Sequence, residues 1–319
     1  MISRYRMRLR RPRFRGLRTP VLLPGQSARR LALLGLGAAV LVAPLWLLTT
    51  QTIEGQRVAD LILYGRMLAD PTAREAASEA LATVSIAAAG ITALGLATLG
   101  LVRGGFGLAI ASLMLIGGAN LTAVVLEDLL VRPNLLGRAA YATGNSFPSG
   151  HVALVASLGF AAILVVPRRL RTPVAILASA LVAVVGLSTI TAGWHRLADV
   201  VGAVLISLAW ASIVAAILVV AQGWMPRRTW GTGLGGPATT LTGLAGVVVI
   251  VVGVTALLVT ALDPAPLTQA IAVGTSEPRT FTAALVVALG SALVTSAGYV
   301  WAMRGVALES REATPGPTG

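Results

Sequence analysis

The chain has 319 residues, 56% of them hydrophobic and 12% charged, with a formal net charge of +13 and a mean hydropathy of +0.83. A soluble domain carries about twice that share of charge, and apolar runs of about 20 residues recur, enough to cross a hydrocarbon core as helices. Soluble classes are therefore excluded, and with no cysteine so are a disulfide framework and a thiolate metal site.

Residues 1–30 hold ten arginines and no acid. They read as a cytoplasmic tail that fixes orientation and touches anionic lipid, rather than as a nucleic-acid-binding segment. A cleaved signal peptide does not fit, because the basic region is too long and the next apolar run is span-length. All 25 basic residues are arginine, which suits a coding bias as well as a function.

Eight membrane spans are expected, at roughly 31–50, 80–102, 104–126, 148–166, 173–193, 200–221, 238–262 and 280–303. Between the first two lies an amphipathic loop, Glu54 to Asp70, with Val58, Leu61, Ile62, Gly65 and Leu68 at helical spacing. It reads either as a helix flat on the membrane bordering an entry groove or as a packed connecting helix. Small residues such as Gly117, Gly118 and Ala119 let helices approach closely in lipid. No internal repeat supports an inverted-repeat transporter.

With the N-terminus in the cytoplasm and alternating spans, the inner segments collect 18 arginines against two acids, and the outer ones seven arginines against ten acids. That bias follows the positive-inside rule and puts both termini in the cytoplasm. Three polar stretches then share the outer face: Leu126 to Asn134, "NSFPSGH" (Asn145 to His151) and "GWHRLAD" (Gly193 to Asp199).

Each stretch suggests chemistry and also has an ordinary reading. Arg132, before Pro133 at the end of span three, offers a planar fork for phosphate oxygens, or is an interface anchor. In Pro148-Ser149-Gly150-His151, proline suits a first helical turn. That leaves the Ser149 and Gly150 amides for an anion and His151 near enough to protonate a leaving oxygen. Alternatively the stretch is a cap with a chance histidine. His195 and Asp199 stand four apart on one helical face; a carboxylate on one ring nitrogen would leave the other as a lone-pair donor. An interfacial histidine with a neighbouring acid is the plainer alternative.

Taken together, these residues resemble the type-2 phosphatidic acid phosphatase family, integral-membrane lipid phosphate phosphatases related to vanadium haloperoxidases. That family has three blocks, KxxxxxxRP, PSGH and SRxxxxxHxxxD. The second is complete here at Pro148 to His151. The third keeps Ser188, His195 and Asp199, and the first keeps Arg132 and Pro133. The resemblance covers roughly residues 80–222.

The resemblance implies a six-helix phosphatase core, and with the apolar runs the whole reads as an all-α polytopic transmembrane bundle whose basic tail and two C-terminal spans lie outside that core. The units would be a basic tail (1–30), a first span with its outer loop (31–79), a catalytic core (80–222), additional spans (223–303) and a cytoplasmic tail (304–319). It implies phosphoryl transfer with no metal and no cofactor. His195 would attack phosphorus to give a phosphohistidine, Asp199 would orient it, and His151 would protonate the leaving group. Arg132, the Ser149 hydroxyl and the amides near Gly150 would hold the phosphoryl oxygens. The composition independently makes a dinuclear metal site hard to build, with two histidines and no cysteine.

Two cationic ligands of the family are missing: the lysine position falls on Val125 and the arginine position on Thr189. Arg138 and Arg196 are the nearest stand-ins: Arg138 is in a loop that could fold over the site, Arg196 directly follows His195 and on a helix would point roughly 100° away from it, and Glu127 makes the lysine end worse for an anion. The expected partners are membrane lipids and a lipid phosphate (polyprenyl pyrophosphate, phosphatidylglycerol phosphate or phosphatidic acid) at the outer face of the plasma membrane, with no nucleic acid. No oligomeric state follows. The rival readings are a phosphotransferase acting on a lipid-linked acceptor and a catalytically impaired protein that binds lipid phosphate.

Overall fold

The computed structural model describes residues 24–66, 69–137, 144–221, 235–262 and 278–306, together with Leu308. Most of the basic tail, and Arg138, lie outside the described residues. Among the described residues every regular element is helical: α1 (Pro24–Thr50), α2 (Ile53–Gly65), α3 (Pro71–Thr83), α4 (Ile86–Leu129), α5 (Gly150–Val165), α6 (Arg171–Ala192), α7 (Leu197–Ala221), α8 (Gly235–Leu262) and α9 (Pro278–Ala302). The chain is all-α, as composition and run length require: only intra-segment hydrogen bonds satisfy the backbone in lipid.

Among the described residues, six stretches are long and apolar enough to cross a membrane, in α1, α4, α6 with its preceding turn, α7, α8 and α9; α5 is a shorter apolar helix. The expected span 104–126 and most of 80–102 lie in α4, which breaks at Gly105 with φ 73° into two arms. A side chain at that angle is strained, so the break belongs to glycine. The two arms fold back on each other there: a Cβ on Gly100 would lie 3.2 Å from the Ala109 backbone.

α7 sits at the centre and packs against α1, α4, α5 and α9. Small residues allow it. A Cβ on Gly35 of α1 would come within 3.1 Å of the Ala209 carbonyl, and one on Gly118 would strike the Trp210 indole, whose Nε1 donates to Thr122 at 3.0 Å. Gly117, by contrast, faces open space. α1 and α8 turn rows of leucine and valine outward, including Leu36, Val40, Val248 and Val251, as lipid-facing helices do.

Side-chain bonds separate the two ends of the bundle. At one end Arg103 donates to the Val165 carbonyl. The buried Arg171 there donates to the carbonyls of Met303 (3.2 Å) and Val306 (2.9 Å), and Ser27 Oγ reaches the Arg304 carbonyl. The other end gathers the polar stretches around Arg132, Ser146 and His195.

The loop from Glu54 to Asp70 is not a flat lip. Its helical part, α2, exposes Ile53, Glu54 and Arg57 in its first turn but buries Gln56, Ala59, Asp60, Leu61 and Ile62. The packed-helix reading is the one observed; Leu68 lies outside the described residues.

Candidate active site

His195 stands in the short turn between α6 and α7. Gly193 ends α6 in the left-handed region (φ 77°, ψ 22°), a common helix stop. The amides of Trp194 and His195 then bond back to the Thr189 carbonyl at 2.9 and 3.2 Å. The turn is fixed from outside by Arg66 at the end of α2, which lies against Gly193 and donates to the Ala192 carbonyl at 2.8 Å.

The imidazole is oriented by a group that the sequence reading passed over. Its Nδ1 lies 3.0 Å from the Ser146 carbonyl oxygen and 3.6 Å from Asp199 Oδ2. A carbonyl can only accept, so Nδ1 carries the proton and Nε2 keeps its lone pair. Asp199, nearly fully buried, spends its Oδ2 elsewhere: it accepts from the Arg196 amide at 2.7 Å and from the Ser146 hydroxyl at 2.6 Å. An acidic residue in the first turn that reaches back to an N-cap amide is one half of a capping box. The expected carboxylate–imidazole bond is thus replaced by a carbonyl–imidazole bond, with the carboxylate fastening the loop that supplies the carbonyl. Its charge still stands near the ring.

Phe147 anchors that loop. It is completely buried and lies on Gly202 of α7, where a Cβ would overlap its ring. Asn145 Nδ2 adds a bond to the Glu127 carbonyl at 2.9 Å.

The PSGH stretch departs from the expected detail. Pro148 precedes the helix, Ser149 is the N-cap, and α5 begins at Gly150. The Ser149 hydroxyl accepts from the Val152 amide, and its own amide donates to the Asp199 carbonyl at 3.0 Å. The Ser149 amide is therefore committed to α7 rather than to an anion, while its hydroxyl accepts at the cap and keeps its proton to donate. The first-turn amides of Gly150 and His151 remain as helix N-terminal donors, and a Cβ on Gly150 would meet open space. His151 lies beside Trp194, the residue before His195, with ring centroids 5.5 Å apart and tilted by 60°.

Arg132 is 6% exposed. Its Nη2 pairs with Asp60 Oδ1 of α2 at 3.2 Å, a partner 72 residues away that no local pattern marks. Burial, and then the charge of Arg196, pull this guanidinium below its ordinary pKa, while Asp60 acts the other way. Arg196 is buried as well and reaches back over the loop, donating to Ser146 Oγ at 3.0 Å and towards the Gly144 carbonyl. Being an N-cap, it escapes the helical direction that would have turned it away. Thr189 is wholly buried and bonds the Gly186 carbonyl at 2.8 Å. Val125 is exposed on α4.

The structure thus brings His151, His195, Asp199, Ser149, Gly150 and Arg132 to one end of the bundle, with Arg196, Ser146, Trp194 and Asp60 added. Compared with known proteins, the chain matches the family model described as the PAP2 superfamily over residues 36–222. That span takes in the second half of α1, with α2 and α3, as well as the segment from residue 80. No curated protein and no solved structure matches the chain.

Proposed function

Because the chain belongs to the PAP2 superfamily, whose members are phosphatases of phosphate esters, and has several apolar helices long enough to cross a membrane, we propose that it hydrolyses a lipid phosphate by way of His195. The observation that carries this reading is the bond from His195 Nδ1 to the Ser146 carbonyl. It fixes the ring from the same loop that leads into His151 and presents Nε2 as the nucleophile.

In the first step Nε2 attacks phosphorus. The N–P bond forms, the P–O bond to the lipid breaks, and the leaving oxygen takes a proton from His151. In the second, His151 takes a proton from water, the water oxygen bonds phosphorus, the N–P bond breaks and phosphate leaves. Asp199, 3.6 Å from Nδ1, offsets the positive charge of the phosphorylated ring. Arg132, Arg196 and the first-turn amides of Gly150 and His151 would hold the phosphoryl oxygens, with Ser149 as the cap that shapes that turn. Arg138, outside the described residues, is proposed as a further cation.

The substrate would be a phosphomonoester or pyrophosphate of a lipid. α5 has 16 residues and so runs about 24 Å, short of the roughly 30 Å core. This supports a first turn, with His151, sunk below the membrane surface, where a lipid headgroup arrives sideways. Counting the two arms of α4 separately and including α5 gives eight crossings. Arg103, Arg168, Arg169, Arg171 and Arg304 all fall at the end opposite His195, and the positive-inside bias then supports an extracytoplasmic site with cytoplasmic termini at the plasma membrane.

One observation favours a second reading. Arg132 already has a carboxylate partner, and the lysine and arginine positions hold Val125 and Thr189, which suits a protein that binds lipid phosphate without turning it over. Phosphate release from a panel of lipid phosphates decides. The proposal expects release by purified protein that is lost in His195→Ala and His151→Ala; release unchanged by His195→Ala contradicts it.

A further inference from the structure

Arg132 is held from three sides by one corner of the fold. Gln51, just after α1, donates through Nε2 to the Val131 carbonyl at 2.7 Å. Gln56 of α2 donates to the Pro133 carbonyl at 2.6 Å and to the Thr50 carbonyl at 2.7 Å. Asp60, one turn further along α2, pairs with the Arg132 guanidinium itself, with side chains 4% and 3% exposed. The residues before, at and after the arginine are thus each tied to the same corner. α2 is in turn braced from behind: Gly65 lies against Phe281 of α9, where a Cβ would meet the ring at 2.5 Å.

We propose that Asp60 is a positioning residue for phosphate binding, with α2 as its mount: it sets the direction in which the Arg132 guanidinium meets the phosphoryl group. This rests on the reading of Arg132 as a phosphate ligand. An arginine side chain has several soft torsions, and ordering it during catalysis costs conformational entropy. A carboxylate on one terminal nitrogen fixes the plane of the guanidinium before substrate arrives. It also keeps Arg132 and Arg196, which sense each other's charge, from repelling each other unopposed. The placement explains why a polar side of α2 is buried. Gln56 and Asp60 face the Val131–Pro133 segment rather than water.

A double-mutant cycle tests this. Turnover of a lipid phosphate is measured for wild type, Asp60→Asn, Arg132→Ala and the double variant, with the thermal shift caused by inorganic phosphate recorded for each. The expected result is a loss of kcat/KM of about ten- to a hundredfold in Asp60→Asn, partial rescue in Asp60→Glu, and less than about a twofold further loss when Asp60→Asn is added to Arg132→Ala. The phosphate-induced shift falls in the same order. Full multiplication of the two losses, or no loss in Asp60→Asn, overturns the proposal. Should Asp60→Asn not fold, Gln56→Ala, which frees the same segment, is expected to show the same dependence on Arg132. If no variant turns substrate over and His195→Ala equals wild type, the catalytic reading fails while the phosphate shifts still decide the role of Asp60.

Discussion

The Nδ1 of His195 lies 3.0 Å from the carbonyl oxygen of Ser146, a residue 49 positions earlier in the chain. The contact joins the turn before α7 to the loop before α5, and it sets which ring nitrogen is available. Asp199 stands behind it, holding both the Ser146 hydroxyl and the Arg196 amide.

Side chain and backbone are separable at Ser146. Ser146→Ala removes the bonds to Asp199 and Arg196 but keeps the carbonyl that holds His195. The expected loss in kcat is modest, roughly tenfold or less. Asp199→Ala leaves the buried Arg196 amide without its acceptor and costs about 1–3 kcal/mol of stability, with a larger loss in kcat. Steady-state kinetics and thermal unfolding of the two purified variants check the order.

Loop placement depends on Gly202. Gly202→Ala pushes into the Phe147 ring and is expected to destabilise by about 1–3 kcal/mol, as overpacking does, and to lower activity by displacing Ser146. Gly117→Ala, which meets nothing within 4 Å, is expected to be neutral or to stabilise by up to about 1 kcal/mol through helix propensity. Thermal melts of the pair make the comparison, and equal melts would contradict it.

Trp194 is 46% exposed and touches His151 ring to ring. Such a pair is worth about 0.5–1.5 kcal/mol, so Trp194→Ala is expected to lower kcat by roughly two- to tenfold, with Trp194→Phe close to wild type. The readout is kcat on one lipid phosphate, since a pure binding role would move KM instead.

Asp70 caps α3, accepting from the Thr72 hydroxyl at 2.5 Å and the Thr72 amide at 2.8 Å. These bonds, the hydroxyl first, hold its carboxyl below the usual carboxylate range. A folded-state value below the unfolded one means that the cap's contribution is complete above the ordinary carboxylate range. It is lost as pH falls through the lowered value. Amide exchange in the first turn of α3 is therefore expected to speed up on acidification below about pH 4, and Asp70→Asn to flatten that dependence.

Helix content, the apolar runs and the meeting of three distant stretches were legible because each is written locally: run length, a proline-glycine break, a histidine and an acid four apart. The carbonyl partner of His195 was not, because a backbone acceptor carries no residue identity. Asp60 was hidden for another reason. It lies off the apolar stripe of α2, so periodicity assigns it to water, whereas that side packs on the Val131–Pro133 segment. The cap position of Arg196 depends on where the turn after Gly193 ends, which spacing alone does not mark, whereas the break in α4 at Gly105 falls within two residues of the boundary between the expected spans.

Trapping the covalent intermediate tests the central claim most directly. Wild-type protein is mixed with a lipid substrate labelled in its phosphate, quenched in alkali to preserve phosphohistidine, and mapped by fragmentation. The account predicts label on His195, absent in His195→Ala, with turnover lost alongside it. Turnover that continues in His195→Ala, or label found on another residue, would contradict it.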